Sequence, residues 1–389
     1  MSAQLGDKVH IREFNEDRDI EAVEKFEKNC ETGSRKGISI FTNMMGDPLS
    51  RIRLYPTHIM LIAELHENRE LVGAVRGCIK HVGTGNGGTH VKIGCILGLR
   101  VSPRHRRKGI GLKLVKSIEG WAIRNGAQYI CIATEESNVI STSLFIHKCN
   151  YVKLNSLVIL VQPIKNHAQD PSVNVRIEKL SVEQAISLYR DRLGSKAFFP
   201  NDMEAILNEK LSLGSWVSFL KEDDWVGLHD KEDKDFPSRA PSSWAILSIW
   251  KTCEAYKLHI RRQHPFKCFH ATLSHAGAKI FPCVKTTNCD LLHRPYGFLF
   301  LYGVYGEGQR LGDLLKSLWW FAYSLAGNVK DCKVIVTELA ISDPVREHVP
   351  QGPSMSCIND LWYFKKVNGP SEDNDRWTMT QLFVDPRDF

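Results

Sequence analysis

The chain has 389 residues, of which 43% are hydrophobic and 24% charged, with a formal net charge of +7. That balance belongs to an ordinary globular protein long enough for two or three domains, and so mild a positive charge suits an anionic cofactor without marking a nucleic-acid binder. No apolar run approaches the ~20 residues of a membrane helix, Met1 to Phe14 is too charged for a signal peptide, and eleven irregularly spaced cysteines point to reduced thiols in an intracellular protein.

In chain order, Val9 to Phe14 reads as a strand leading into a helix over Asp17 to Lys28. His58 to Leu65 and Leu71 to Lys80 form a hairpin, and the glycine-dense Gly83 to Gly88 reads as a hairpin loop. The apolar run Cys95-Ile-Leu-Gly-Leu-Arg-Val101 closes at Ser102-Pro103. A basic turn follows, Arg106-Arg-Lys-Gly-Ile-Gly111, and then a helical face of Leu112, Leu114, Val115, Ile118 and Trp121. Gln128 to Thr134 is a buried strand, Asn138 opens a helix that runs to Lys148, and Val152 to Val161 is strand again.

The basic turn is the most informative segment. Glycines at a strand-to-helix junction leave backbone amides free at the positive end of a helix dipole, where an anion binds. Arg106, Arg107 and Lys108 add charge at the same point, so the segment reads as a pyrophosphate cradle. It is not a Walker loop, because no Gly-Lys-Ser/Thr follows, and it lacks the third glycine of the dinucleotide fingerprint.

The order Val101-x-Pro103, Arg106-x-x-Gly109-x-Gly111 resembles the acetyl-CoA loop of the GCN5-related N-acetyltransferases (GNAT family). The segment Asn138, Ser141, Leu144, Phe145 and Asn150-Tyr151 resembles the family's next helix, with one extra residue between Phe145 and Tyr151. The resemblance implies an α/β (α+β) fold, with a mixed and mostly antiparallel sheet flanked by helices. It implies acetyl-CoA as cosubstrate, no metal, and an amine acceptor on a protein, a peptide or a small molecule. Leu99, Arg100, Val101, Arg106, Arg107, Lys108, Gly109, Ile110, Gly111, Leu112 and Asn138 would then hold the cofactor.

A second half echoes the first. Asn166 to Asn174 reads as a linker, placing a GNAT domain at 1–165 and a degenerate GNAT-like domain at 175–389. Val175 to Leu180 leads into a helix over Ser181 to Arg192, Ser215 to Leu220 and Trp244 to Trp250 are strands, and Phe298 to Tyr305 matches the strand before the cradle. Leu114-Val-Lys-Ser-Ile118 recurs as Leu314-Leu-Lys-Ser-Leu318, and Ile132-Ala-Thr-Glu135 as Ile335-Val-Thr-Glu338. Glu307 stands in the second loop, where a carboxylate would repel a pyrophosphate, so this half is expected not to bind CoA there.

Acetyl transfer to an amine needs a base for the ammonium and stabilisation of the leaving thiolate. GNAT enzymes often carry a Tyr in the helix after Asn138, but Phe145 or Ile146 stands there in this chain. Glu64, at a strand end, and Glu135 or Glu136, after the fifth strand, are the candidate catalytic carboxylates. A catalytically weak or inactive acetyl-CoA-binding regulatory protein is the alternative reading. The cysteines and histidines between Cys253 and His293 lack zinc-finger spacing. Across both halves, Cys30-Glu-Thr-Gly33, Leu49-Ser-Arg-Ile-Arg53, Ala133-Thr-Glu-Glu-Ser-Asn138 and Gly297-Phe-Leu-Phe-Leu-Tyr302 resemble the hookless-type probable N-acetyltransferases of land plants. That resemblance implies a setting in hormone-linked growth and in the nucleus.

Overall fold

A computed structural model describes residues 8–30, 32–33, 38–85, 89–164, 174–230, 236–262, 294–351, 355–368 and 382–389. The sequence linker up to residue 173, the tip of the Gly83–Gly88 loop and most of the Cys/His-rich stretch lie outside the described residues.

The first half runs β1 (Val9–Glu13), α1 (Glu16–Asn29), β2 (Thr32–Gly33), β3 (Ile38–Asn43), β4 (His58–Leu65), β5 (Leu71–Thr84), β6 (His90–Val101), α2 (Ile110–Arg124) and β7 (Tyr129–Glu135). A short α3 (Val139–Ser143) passes straight into a π-helical turn at Leu144–Lys148, and β8 (Val152–Pro163) follows. That turn is where the extra residue before Tyr151 goes. A π turn takes up one added residue without breaking the helix, and Phe145 stays fully buried on the edge of the Tyr151 ring.

The second half repeats the order with β9 (Val175–Lys179), α4 (Val182–Leu193), β10 (Ala197–Pro200), α5 (Met203–Asn208), β11 (Ser212–Leu220), β12 (Trp244–Lys251), β13 (Lys257–Arg262), β14 (Gly297–Glu307), α6 (Leu311–Gly327), β15 (Cys332–Ala340) and β16 (Ser356–Lys366). α4 starts at a reciprocal capping box, in which the Ser181 hydroxyl accepts from the Gln184 amide and the Gln184 side chain accepts from the Ser181 N–H.

Twelve of these strands form one path, β1-β4-β5-β6-β7-β16-β8-β15-β14-β12-β11-β9, with β10 added beside β5 and β13-β3-β2 as a separate small sheet. The path is a palindrome of the two halves. β6–β7 and β14–β15 are its two parallel pairs, and the rest is antiparallel. At the centre the halves exchange strands. β16 enters between β7 and β8, with Asp360 opposite Glu135 on one side and Leu157 on the other, while β8 pairs onward with β15.

The packing follows from this order. Ile110, Leu114, Val115, Ile118 and Ala122 of α2 cover Ile79, Ile96, Ile130 and Ile132 on one sheet face, and α6 covers the matching face of the second half. Each large apolar side chain buried this way contributes roughly 1.5–3 kcal/mol relative to exposure. The other face is shared. One core joins Cys78, Cys95, Cys131 and Leu157 to Phe198, Tyr302, Val334, Trp362 and Phe383.

Candidate active site

The pairing of β6 with β7 runs from Ile93 opposite Tyr129 to Ile96 opposite Ile132 and ends there. Gly98 takes φ +59°, and the β5–β6 register shifts between Ala74 and Arg76, so β6 bulges and turns away from β7. A side chain at 98 would be strained at that φ, and its Cβ would lie 3.0 Å from Nη1 of the buried Arg76. Arg76 is fixed below the bulge by the Pro48 carbonyl at 2.7 Å and the Glu27 carboxylate at 2.7 Å.

The divergence opens a cleft of about 360 Å³. Leu99, Arg100 and Asn138, three of the residues read from the sequence as cofactor-binding, line it. The Asn138 side chain also caps α3 by accepting from the Ser141 amide at 3.2 Å. Val101 flanks the cleft mouth, where its carbonyl accepts from Arg106 Nε at 3.2 Å.

From that mouth the chain passes through a short turn, Pro103–His105, to the cradle. Arg107 and Gly109 both adopt left-handed backbone, with φ +61° and +81°. Gly109 is the N-cap of α2, and a Cβ there would meet nothing within 4 Å. The space beside the helix start at Gly109 is thus open, the first turn carries no acidic residue, and Arg106 and Arg107 are exposed beside it. Gly111 lies against Val101 and Leu144, while Ile110 and Leu112 anchor the helix in the core. Lys108 is half-buried in the same turn.

The floor of the cleft comes from the other half of the chain. Glu338 of β15, Asp360 and Trp362 of β16, and Asp388 and Phe389 near the end of the chain all line it. Glu338 and Asp360 are 6% and 7% exposed. Glu338 accepts from Trp362 Nε1 at 3.1 Å. Burial, and then the neighbouring Asp360, push the Glu338 carboxyl well above the usual range. Burial likewise raises Asp360 to about 6, opposed by a hydrogen bond with Glu338.

Asp388 is held from below. Lys80, 4% exposed, pairs with both Asp388 and Asp385, the latter at 3.2 Å, and Arg51 donates to the Asp388 carbonyl at 2.6 Å. Arg387 joins Asp385 to Asp202 and lies over the Tyr55 ring. Cys95 and Cys131 line the cleft with sulfurs 3.2 Å apart, and hydrogen bonds from Cys131 and Cys78 pull the Cys95 thiol below its ordinary range. Cys78, Cys95 and Asp388 bring three ligand-type atoms within 4.8 Å of one another, with the Lys80 ammonium already on Asp388.

The carboxylates named from the sequence, Glu64 and Glu135 or Glu136, do not line the cleft. Glu64 is buried against the Arg12 guanidinium, which also holds Asp19 at 2.6 Å; neither lines the cleft. Glu135 is half-buried at the end of β7, accepts from Ser137 Oγ at 3.2 Å, and is the strand neighbour of Asp360 without itself lining the cleft. The sequence did contain a pointer to the floor, since Glu338 closes the repeat that matches Ile132-Ala-Thr-Glu135.

The matching place in the second half is filled. Gly303 of β14 has the same φ of +59°, but Tyr189 of α4 occupies the notch, its Oη 2.6 Å from where a Cβ would stand. Leu382, Phe383 and Val384 close the space further, leaving about 20 Å³. At the loop before α6, Ser242 and Ser243 press on Gly308, and Glu307 accepts from Arg192 at 3.1 Å.

Residues 34–151 match the model of the acetyltransferase (GNAT) family. Over 97% of this chain and 99% of the relative, the sequence is 37% identical to "Probable N-acetyltransferase HLS1" of Arabidopsis thaliana. It is 36% identical to "Probable N-acetyltransferase HLS1-like" of the same plant, over 98% and 99%. The chain belongs to the GNAT family. Its whole length also superposes on Saccharomyces cerevisiae N-myristoyltransferase crystallised with myristoyl-CoA, with a TM-score of 0.54 at 12% identity, covering 97% of this chain and 89% of that one. At that identity the likeness shows the fold, a GNAT-type sheet present in tandem. The chain is an acyltransferase of this family, and its fold is that of acyl-CoA-binding proteins.

Proposed function

We propose that this GNAT protein transfers an acetyl group from acetyl-CoA to an amine of a protein or small molecule, at the cleft between β6 and β7. One observation carries the reading. The open, left-handed Gly109 at the start of α2 stands at the mouth of a cleft made by the bulge at Gly98. In the proposed pose the diphosphate rests on the α2 amides between Arg106, Arg107 and Lys108. The pantetheine arm runs beside Leu99, Arg100 and Val101 toward Asn138. The thioester then reaches the floor, where backbone donors along the splayed strand can meet its oxygen.

By its relatives the setting is a plant one, and we place the protein in hormone-linked growth, in the cytoplasm or nucleus. Seven described cysteines are buried free thiols, which suits a reducing compartment.

Titration calorimetry with acetyl-CoA, followed by release of the free CoA thiol in the presence of lysyl peptides, N-terminal-amine peptides and spermidine, tests the reading. Binding followed by amine-dependent thiol release is expected; absence of binding heat would overturn it. A second reading, an acetyl-CoA-binding regulatory protein of weak or no turnover, is favoured by one feature. Among the described residues, the cleft lining includes no tyrosine to protonate the leaving thiolate. Binding without thiol release would select that reading.

A further inference from the structure

We infer that Asp360, which shares the cleft floor with Glu338, is the general base of this site, so that the second half of the chain supplies the catalytic carboxylates to the cofactor cleft of the first. The assignment rests on the acetyl-transfer reading above.

Among the described residues, the first half puts no carboxylate in the cleft. The acids that line it are Glu338, Asp360 and Asp388, all from the second half. Asp388 is tied to the buried Lys80 ammonium, which Asp385 shares, so that taking up a proton there would break an ion pair. No such cation among the described residues pairs with Glu338 or Asp360. Both line the floor of the one cleft, from β15 and from β16 on either side of β8, and burial pushes both carboxyls upward. Trp362 Nε1 orients Glu338 at 3.1 Å. Two nearly enclosed carboxyls this close do not both ionise, so one keeps its proton and the other becomes the acceptor.

The surroundings decide which. Burial and the nearby Asp360 and Asp388 charges hold the Glu338 carboxyl well above the usual range, so it is the one that keeps its proton. Asp360 is the one that ionises as the pH approaches neutrality. The charged groups that face it are Glu135 on β7, Glu338 on β15, and Arg51, Arg100 and Asp388 across the cleft.

The chemistry balances with these groups alone. The ionised Asp360 takes one proton from the acceptor ammonium. The freed amine nitrogen attacks the thioester carbonyl carbon, forming the C–N bond and a tetrahedral oxyanion. Collapse breaks the C–S bond, and the second nitrogen proton leaves with the departing sulfur to give the free CoA thiol. Asp360 then returns its proton to solvent.

The test uses the full chain with acetyl-CoA and the same peptide and spermidine probes, reading CoA-thiol release against pH. Wild type should lose kcat/KM on the acid side with an apparent midpoint of about 6, the value Asp360 carries. Asp360→Asn should lose ~10²–10⁴-fold in kcat while binding acetyl-CoA normally, which also reports that it folds. Glu338→Gln removes the neighbouring carboxyl's charge and proton from the floor and should move the acid limb. Should Asp360→Asn fail to fold, the wild-type acid limb and its displacement in Glu338→Gln still decide the matter. A wild type whose rate is flat across that limb, or an Asp360→Asn variant within ~3-fold of wild type, overturns the dyad while leaving the acetyl-transfer reading intact. Acetyl-CoA binding without thiol release from any probe would overturn both.

Discussion

Gly98 on β6 and Gly303 on β14 stand at matching places in the two halves of the sheet, each with φ +59°. The same backbone device opens a cleft in one half and is stoppered in the other by Tyr189 and the segment Leu382 to Val384. The asymmetry of the protein thus lies in side chains and loops laid over a nearly symmetric sheet.

Gly109→Glu is expected to abolish acetyl-CoA binding and leave the fold in place. A Cβ at 109 meets nothing within 4 Å, so the cost to stability is confined to the left-handed backbone, roughly 1–2 kcal/mol. The added carboxylate would stand where the diphosphate binds. Calorimetry and a urea midpoint measured together check it; normal binding by the variant would show that the loop is not the cradle.

One acetyl-CoA should bind per chain. Tyr189→Ala should destabilise the protein by ~3–5 kcal/mol, as for other large buried aromatics, yet create no second site, because Ser242 and Ser243 still press on Gly308 and Glu307 still faces the loop. Native mass spectrometry counts the bound molecules; two per chain would contradict the closed second half.

Lys80→Met should be among the most damaging single substitutions. It leaves Asp385 and Asp388 enclosed without their shared ammonium. Breaking one partner out of a buried ion pair typically costs about 3–5 kcal/mol. A urea midpoint little changed from wild type would show that Arg387 and Arg51 suffice to hold this segment.

Stability should fall as pH rises from weakly acidic to neutral. Glu338, Asp360 and Asp388 keep their protons to higher pH when folded than an ordinary carboxylate does, the last two to about 6. Through that window the folded chain binds more protons than the unfolded one, so ionising these groups removes stability. Asp19, whose burial opposes the shift, is nonetheless drawn down to about 2 by Arg12. It acts in the opposite sense but only at lower pH, where protonating it removes stability. A urea midpoint higher near pH ~5.5 than near ~7.5, with a smaller difference in Asp360→Asn, is the expected outcome. A midpoint that climbs through the same interval would contradict it.

Much of this was legible in the residues. The strand, turn and helix from Cys95 to Asn125 follow from apolar periodicity and from glycines placed where only a helix start would use them. The echo of Ile132 to Glu135 in Ile335 to Glu338 marked the tandem plan. The extra residue before Tyr151 was visible, but not that a π turn absorbs it. What stayed hidden is long-range. Nothing in Ser356–Lys366 says that it pairs with β7 and β8, about two hundred residues earlier, because strand pattern records which face is buried and not which neighbour is chosen. The floor of the cleft, with Asp360 and Glu338, is a product of that choice.

The exchange of β8 and β16 has a consequence for synthesis. During translation the leading half emerges with a gap in its sheet, and β7 and β8 must wait for a strand made about two hundred residues later. The nascent chain therefore carries unpaired, apolar strand edges until nearly all of it has left the ribosome, which is the interval in which a chaperone has the most to protect.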